Sequence, residues 1–205
     1  MPPARWPEVV PTGVLLAAGR GRRFDPAGVR NKLLQQLPGG DLVVLASARR
    51  LLACVPRVVA VVPPHDGGVA DALRALGCEV TVCAQADSGM GASLVHAIGQ
   101  SLRDALPAGG WLVALGDMPF VQDATLAALR DAVAPAAAAG TIAVPVYAGR
   151  RGNPVAFGAR HLDALLALGG DQGARGLLAA HAVTEVAVDD PGILRDIDTP
   201  SDLVL

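Results

Sequence analysis

Short apolar runs alternate with helical segments over the first 117 residues of the chain. The apolar runs span residues 13–18, 57–62, 79–83 and 111–115, and valine recurs in all four of them. Continuous apolar runs of this length are typical of parallel strands that are buried on both faces of a sheet. The pattern therefore predicts four buried parallel strands.

Three segments between these runs have helical character, at residues 42–54, 67–77 and 91–106. In the last of them, apolar residues recur at the 3.6-residue period of a packed helix. They are Val95, Ile98, Leu102 and Ala105. Strands and helices that alternate in this way build βαβ units, which predict an α/β fold with a mostly parallel central sheet.

The pattern loosens after residue 117, where we predict a helix with Asp123 as its N-cap. The elements predicted after it follow in chain order: a strand at 141–147, a turn at 148–154, helices near 158–168 and 173–181, and a strand at 184–188. We expect these elements to continue the same sheet. Residues 1–205 are therefore predicted to form a single domain.

Composition narrows the classes of protein. A chain of 205 residues that is 52% hydrophobic suits one well-buried domain. The net charge of −2 provides no attraction for a polyanion, so we expect no nucleic-acid partner. No apolar run approaches the ~18 residues of a membrane span, and the N-terminus lacks a signal-peptide core, so we expect a cytoplasmic protein without membrane contact. Cys54, Cys78 and Cys83 match no zinc or CxxC spacing and are expected to be buried, reduced thiols.

The first strand opens directly into a glycine-rich loop, Leu16-Ala-Ala-Gly-Arg-Gly-Arg-Arg23. In an open α/β sheet, ligands bind beyond the carboxyl ends of the strands, where glycine lets backbone N–H groups approach phosphate. Arg20, Arg22 and Arg23 could neutralise a triphosphate. Adjacent side chains cannot all face it, and we expect Arg20 and Arg23 to do so.

Two familiar nucleotide motifs do not fit this loop. The dinucleotide fingerprint GxGxxG would place Phe24 where its third glycine belongs, and Asp25-Pro26 does not open a helix. The P-loop GxxxxGK[ST] is missing because Leu33 follows Lys32. A surface turn rich in glycine and arginine, without a ligand, remains the structural alternative.

Charged residues elsewhere provide candidate partners for a phosphate ligand. Asp117 follows the strand at 111–115, where a carboxylate can hold Mg²⁺ bound to phosphate oxygens, although it could instead cap a helix. Asp196 and Asp198 alternate, so only one of them can face the site if the segment is extended. Lys32 is the only lysine beside 16 arginines, which suggests a need for a compact ammonium group.

Five motifs occur in one order along the chain: LAAGxxxR with a following lysine, GMGASL at 89–94, LGDMP at 115–119, GNP at 152–154 and DIDTPSDL at 196–203. Together they span residues 14–203. The sequence resembles the molybdenum-cofactor nucleotidyltransferases of the GT-A-like superfamily, and within them the molybdopterin cytidylyltransferases. The resemblance implies a single Rossmann-like, three-layer α/β domain. Residues 11–117 would bind the nucleotide and residues 118–205 the acceptor.

The resemblance also implies transfer of CMP from CTP to the terminal phosphate of molybdopterin or the molybdenum cofactor, with release of pyrophosphate. Catalytic roles are implied for Lys32, Arg23 and Asp117, and a Mg²⁺ site for Asp117 with Asp198. Nucleotide contacts are implied for the following residues: Leu16, Ala17, Ala18, Gly19, Arg20, Gly21, Arg23, Lys32, Gln85, Gly89, Met90, Gly91 and Ser93. The acceptor would meet the following residues: Gly152, Asn153, Pro154, Asp171 and Arg175.

The preferred base and acceptor depend on finer features. Ala18 stands where guanylyl members of the family carry glycine, and its methyl group would narrow the space beside the base, which favours CTP over GTP. The segment from Asp25 to Asn31 makes the loop before Lys32 longer than the family pattern. The resemblance implies transient contact with a molybdoenzyme or its chaperone. Alternatives are a guanylyl- or other nucleotidyltransferase acting on another pterin or a sugar phosphate, and a non-catalytic nucleotide-binding accessory protein for cofactor delivery.

Overall fold

The computed structural model describes residues 9–103, 109–170 and 173–204, and within them eight strands form one sheet. The strands are β1 (Thr12–Leu16), β2 (Val58–Val62), β3 (Glu79–Val82), β4 (Trp111–Leu115), β5 (Ile142–Tyr147), β6 (Arg150–Arg151), β7 (Val155–Phe157) and β8 (Thr184–Ala187). Their order is β3-β2-β1-β4-β7-β5-β6, and β8 pairs with β5. The first four strands are parallel, and β7 runs antiparallel between β4 and β5.

Helices cover both faces of this sheet. They are α1 (Val43–Cys54), α2 (Val69–Leu76), α3 (Met90–Ser101), α4 (Asp123–Val133), α5 (Leu162–Leu166) and α6 (Arg175–Ala180). One core cluster contains residues of α1, α2 and α4, and the other contains residues of α3, α5 and α6. Each large side chain that is fully buried contributes about 1.5–3 kcal/mol. The predicted three-layer α/β fold with a mostly parallel sheet is therefore confirmed.

The register of β1 and β4 positions the segments that follow them. Leu16 lies opposite Leu115 in the parallel pair, so both strands end at the same level of the sheet. The backbone N–H of Gly116 donates to the carbonyl of Leu16 at 2.9 Å. The glycine-rich loop and Asp117 consequently leave the sheet side by side.

Several predicted elements differ in detail. The strand at 79–83 was predicted to be buried on both faces, but β3 lies at one end of the strand order and its residues are exposed or half-buried. Asp123 is the first residue of α4 and not its N-cap, a position that Gln122 occupies without a side-chain hydrogen bond. The predicted turn at 148–154 contains the two-residue strand β6, and the three-residue strand β7 follows it directly. Both were missed because strands this short leave little periodicity in the sequence.

Other expectations hold or lie outside the described residues. The three cysteines are free and buried, as predicted. Burial raises the pKa of Cys54 and of Cys78 to about 11. Helix α3 ends at Ser101, and Ala105 of its predicted stripe lies outside the described residues. Within the described parts of the chain, no helix combines the length and the apolar character that crossing a membrane requires.

Candidate functional site

The loop after β1 turns sharply away from the sheet. Ala17 is still held at the sheet end, where its N–H donates to the carbonyl of Val61 at 3.0 Å. Gly21 has φ +59°, a left-handed conformation that side chains disfavour, and its carbonyl accepts from the N–H of Phe24 at 2.9 Å. The side chain of Phe24 is buried, and no helix follows it. The rejection of a dinucleotide fingerprint agrees with this turn.

A cleft of about 460 Å³ opens beside this loop. Its lining combines the end of β1 and the loop after it, the segment before α3 with the first turn of α3, and the end of β4 with Asp117. The lining residues are Leu16, Ala18, Gly19, Arg20, Arg22, Ala86, Asp87, Gly89, Met90, Ser93, Leu115 and Asp117. Most of these positions were predicted from the sequence to contact the nucleotide. Arg22 was not the preferred arginine, and no contact was predicted for Ala86, Asp87 or Leu115.

Other residues expected at the nucleotide lie around the cleft but do not line it. Ala17 is buried at the end of the sheet, and Gln85 is exposed just before the short helix Ala86–Ser88. The N–H of Gly91 donates to the carbonyl of Gly170 at 3.0 Å, so this glycine packs against the segment that leads to α6. Gly21 lies beside the side chain of Lys32. Whether these residues meet a nucleotide stays a prediction.

An ion pair spans two walls of the cleft. The Nε of Arg20 donates to the carboxylate of Asp87, and both side chains are largely exposed to solvent. The hydrogen bond from Arg20 holds the pKa of Asp87 below its usual value, and the charges of Arg20 and Arg22 act in the same direction. An anion entering the cleft would compete with Asp87 for these arginines. Sequence reasoning missed Asp87 because a single carboxylate in a polar loop has no distinctive spacing.

Three carboxylates gather at the far end of the cleft. Asp117, Asp196 and Asp198 each offer an oxygen, and these oxygens lie within 4.8 Å of one another. We refer to these three residues as the acidic cluster. The N–H of Ile197 donates to the carbonyl of Asp117 at 2.8 Å, which joins the two segments that carry the cluster.

The expectation that only one of Asp196 and Asp198 could face the site is wrong. It assumed an extended strand, but residues 195–198 form no regular element and both carboxylates join the cluster. Asp202 fixes the following turn, because its carboxylate accepts from the N–H groups of Asp198 at 3.0 Å and Thr199 at 2.6 Å. Burial, followed by the negative charge of Asp198, raises the pKa of Asp196.

Lys32 reaches into the acidic cluster despite the long loop before it. Its Nζ lies 2.6 Å from Oδ2 of Asp117 and 3.4 Å from Oδ1 of Asp198, and the residue is only 7% exposed. Asn31 fixes the approach, because its side chain accepts from the N–H of Leu33 at 3.0 Å and donates to the carbonyl of Asp66 at 2.8 Å. The lone lysine is thus an enclosed ammonium group, and its need for a compact shape stays a prediction.

Arg23 belongs to the same network and not to the cleft lining. Its guanidinium pairs with Asp198, while Arg22 lines the cleft. Arg22 and not Arg23 thus lies at the cleft wall, and whether Arg23 faces a triphosphate stays a prediction. The loop turns at Gly21, and beyond that turn Arg23 pairs with Asp198 in the acidic cluster.

The donor set of the acidic cluster fits a divalent metal ion. Mg²⁺ and Mn²⁺ prefer oxygen ligands, and Mg²⁺ commonly takes one or two carboxylates together with substrate phosphates. The ammonium of Lys32 between two of the carboxylates shows that this position accepts a cation. Asp117, Asp196 and Asp198 are the residues that could hold the metal.

The Gly152-Asn153-Pro154 turn contacts the segment that precedes Asp196 and Asp198 of the acidic cluster. A Cβ atom on Gly152 would lie 2.3 Å from the carbonyl oxygen of Ile193, so only glycine fits there. The N–H of Asn153 donates to the same oxygen at 3.0 Å. The turn therefore anchors the segment that leads to Asp196 and Asp198, and its contact with an acceptor stays a prediction.

Asp190 provides a second anchor for that segment. This carboxylate is 1% exposed, and it accepts from the N–H of Gln122 at 2.8 Å, the hydroxyl of Thr125 at 2.7 Å and the N–H of Gly192 at 2.9 Å. It thereby ties the start of α4 to the residues before the acidic cluster. Sequence reasoning missed it because Asp189-Asp190-Pro191 is typical of an exposed turn.

The other residues expected on the acceptor side are less constrained. Arg175 is exposed at the start of α6, and Asp171 lies outside the described residues. Gly170 accepts a hydrogen bond from the N–H of Gly91, next to Met90 of the cleft lining, so Gly170 borders the cleft. This placement is compatible with an acceptor contact and does not test it.

Known proteins share this architecture. The sequence profile of the MobA-like NTP transferase domain matches residues 13–186. The Purine catabolism protein PucB of Bacillus subtilis (strain 168) is 30% identical over 208 residues, which cover 93% of this chain and 92% of PucB. A nucleotidyl transferase from Methanothermobacter has a TM-score of 0.75 and 27% identity, with 94% of each chain covered.

Rv0371c from Mycobacterium tuberculosis H37Rv is a further structural neighbour. It has a TM-score of 0.76 and 30% identity, with 96% of each chain covered. A structure of Rv0371c in complex with manganese has a TM-score of 0.71 and 29% identity, with 95% of this chain and 96% of that chain covered. These neighbours share the fold over almost the whole length of the chain.

Proposed function

Because the chain belongs to the family of MobA-like NTP transferases, we propose that it transfers CMP from CTP to the terminal phosphate of molybdopterin and releases pyrophosphate. The observation that carries the proposal is the junction at Asp117. This residue lines the cleft and also belongs to the acidic cluster that Lys32 and Arg23 contact. One continuous site therefore offers a cavity for a nucleoside, cations for phosphates and carboxylates for a metal.

The cleft accommodates the nucleotide in this proposal. Its volume of about 460 Å³ falls within the range of small-molecule sites. The backbone at Ala18 and Gly19 borders one side, and Arg20 and Arg22 can neutralise the triphosphate. The methyl group of Ala18 faces the cleft and narrows the space for the base, which favours a pyrimidine and supports CTP over GTP.

The reaction needs positioning and charge neutralisation more than a side-chain nucleophile. An oxygen of the acceptor phosphate forms a bond to the α-phosphorus of CTP, and the bond from that phosphorus to the leaving pyrophosphate oxygen breaks. Family members generally use a divalent metal; Mg²⁺ held by Asp117 and Asp198 would neutralise the charge that builds up on the phosphates. Lys32 and Arg23 bind phosphate oxygens and orient the triphosphate.

Both halves of the chain contribute to this proposed site. Residues 11–117 provide the cleft, and residues 118–205 provide the acceptor side and two members of the acidic cluster. We place molybdopterin near Arg175 and the residues that precede it, where the exposed guanidinium can meet a pterin phosphate. Asp171 and the Gly152-Asn153-Pro154 turn complete the proposed acceptor side, the turn by fixing the segment behind it.

Pyrophosphate release tests this proposal. Purified protein with Mg²⁺ is assayed with CTP, GTP, ATP and UTP, each with molybdopterin, with a sugar phosphate and with no acceptor. We expect release with CTP that depends on molybdopterin. Release with GTP but not with CTP would identify a guanylyltransferase. Release that requires a sugar phosphate in place of molybdopterin would identify a different acceptor. Either result would overturn the proposal.

The similarity to PucB supports a second candidate. PucB is described as a purine catabolism protein, and the chain is 30% identical to it over almost its full length. The second candidate is a nucleotide-binding accessory protein that delivers cofactor without catalysis. It predicts nucleotide binding without pyrophosphate release under every condition of the same assay.

A further inference from the structure

The charged groups that the proposed reaction needs are already paired with one another. Lys32 contacts Asp117 and Asp198, and Arg23 pairs with Asp198. In the proposed reaction, the carboxylates hold a metal while the two cations hold phosphates. While these ion pairs persist, the carboxylates cannot hold a metal and the two cations cannot hold phosphates.

The position of Lys32 makes its pairing the decisive one. Its side chain is 8% exposed, whereas the side chain of Arg23 is 77% exposed. A pair that is shielded from water is stronger than an exposed one, and its charges cannot be left unpaired without a large cost. The three carboxylates of the acidic cluster also repel one another within 4.8 Å, and the ammonium offsets that repulsion.

A divalent cation cannot simply join this arrangement. Mg²⁺ binds carboxylate oxygens at about 2.0–2.1 Å, and Mn²⁺ takes the same type of ligand. An ammonium 2.6 Å from Oδ2 of Asp117 already occupies the side of that carboxylate that faces Asp198. A metal shared by Asp117 and Asp198 must therefore displace Lys32 from them.

We propose that Lys32 is a resident counter-ion of the acidic cluster, which a divalent cation and a triphosphate displace together. The cation takes Asp117 and Asp198, and the ammonium of Lys32, followed by Arg23, moves to the phosphates. The inference rests on the proposed function for the identity of the triphosphate. As a consequence, the protein binds a divalent metal weakly without nucleotide, because Lys32 occupies the carboxylates. A bound nucleotide draws Lys32 to its phosphates and so strengthens metal binding.

The first experiment measures Mn²⁺ binding by calorimetry in the absence of nucleotide. We expect Lys32→Gln to bind Mn²⁺ on the order of tenfold more tightly than the unmodified protein, within the usual range of coupling between two sites. Arg20→Gln is the matched control, since it removes the same charge from a side chain that lines the cleft and pairs with Asp87, not with the acidic cluster. Its Mn²⁺ affinity is expected to change by no more than about twofold, as for other exposed pairs.

The second experiment uses the α,β-methylene analogue of CTP, which is not cleaved. The analogue is expected to tighten Mn²⁺ binding to the unmodified protein, and to tighten it on the order of tenfold less in Lys32→Gln. The association of Mn²⁺ with the analogue in solution is the same for both proteins, so it cancels in the comparison. Thermal unfolding provides a further readout, because Mn²⁺ should raise the Tm of Lys32→Gln more than that of the unmodified protein.

The outcomes separate this inference from the proposed function. If Lys32→Gln binds Mn²⁺ no more tightly than the unmodified protein, or if Arg20→Gln gains as much affinity, the counter-ion role is wrong even where pyrophosphate release is normal. If Lys32→Gln does not fold, the unmodified protein still provides the test. The counter-ion role is then wrong if the CTP analogue leaves the Mn²⁺ affinity of the unmodified protein unchanged. If Lys32→Gln gains Mn²⁺ affinity as expected but the CTP analogue binds neither protein, the proposed function fails and the role of Lys32 as counter-ion of the carboxylates stands.

Discussion

At the scale of single residues, one substitution separates the charge of Lys32 from its shape. Lys32→Arg keeps the positive charge but replaces a compact ammonium with a planar guanidinium in an enclosed position. We expect pyrophosphate release to fall at least about tenfold, in line with the loss of a well-placed electrostatic contact. Arg49→Lys, at an exposed pair with Asp41, should have no effect. Turnover of Lys32→Arg equal to that of the unmodified protein would show that only charge matters.

The role of Asp117 is tested by removing its carboxylate. Asp117→Ala should lower pyrophosphate release at least ~100-fold, because the residue links the cleft to the acidic cluster and its loss removes a key electrostatic stabiliser. Asp123→Ala is the matched control, since that carboxylate is exposed and pairs only with Arg50 among the described contacts. Unchanged turnover in Asp117→Ala would refute the metal assignment.

At the scale of elements, the ends of β1 and β4 determine where the chemistry can occur. Both strands were predictable because continuous apolar runs mark strands that are buried on both faces. The loop after β1 and Asp117 were predictable for the same reason, since ligand sites lie beyond the carboxyl ends of such strands. Strand β3 was predicted to be buried as well, but position in the sheet order, which one sequence does not reveal, left it exposed.

The residues that sequence reasoning missed are joined by tertiary contacts rather than by spacing. Asp87 meets Arg20 across the cleft. Asp196 was named from the sequence only as an alternative to Asp198, yet both join the acidic cluster, in a segment that forms no regular strand. Asp190 is buried, and it accepts hydrogen bonds from the N–H of Gln122, the N-cap of α4, and from the hydroxyl of Thr125 within α4. No periodicity or motif in the chain distinguishes Asp87 or Asp190 from a solvated carboxylate.

The anchor at Asp190 predicts a large effect on stability. Asp190→Ala would leave the N–H of Gln122, the hydroxyl of Thr125 and the N–H of Gly192 without their acceptor. We expect the free energy of unfolding in urea to fall by on the order of 3 kcal/mol, since each buried donor left unpaired costs about 1–3 kcal/mol. Asp189→Ala, an exposed neighbour, should change it by less than about 0.5 kcal/mol. Equal effects would contradict the anchoring role.

At the scale of the whole molecule, the reactivity of the buried cysteine thiols shows whether the two core clusters open to solvent. Cys54 and Cys83 lie in different core clusters, and both are buried. Burial raises the pKa of Cys54 and Cys78 to about 11, so only about one thiol in a thousand is a reactive thiolate at pH 8. We expect negligible reaction of the native protein with a disulfide reagent at pH 8, and labelling of all three cysteines in urea. Rapid labelling without urea would contradict the burial.

The whole molecule also unites the two halves of the site. Asp117 follows the parallel sheet of the first half, and Asp196 and Asp198 come from the C-terminal segment that Gly152 and Asp190 anchor. Lys32 reaches the same point from the end of the long loop that follows β1. The proposed transfer therefore depends on the packing of the complete domain and not on any one motif.

The most direct measurement of the central claim is the product of one reaction with Mg²⁺, CTP and molybdopterin. Mass spectrometry of the pterin and a pyrophosphate assay are run on the same sample. The account predicts a pterin whose mass has increased by one CMP unit, with one pyrophosphate released for each modified pterin. An unmodified pterin in a sample where the protein demonstrably binds CTP would contradict it.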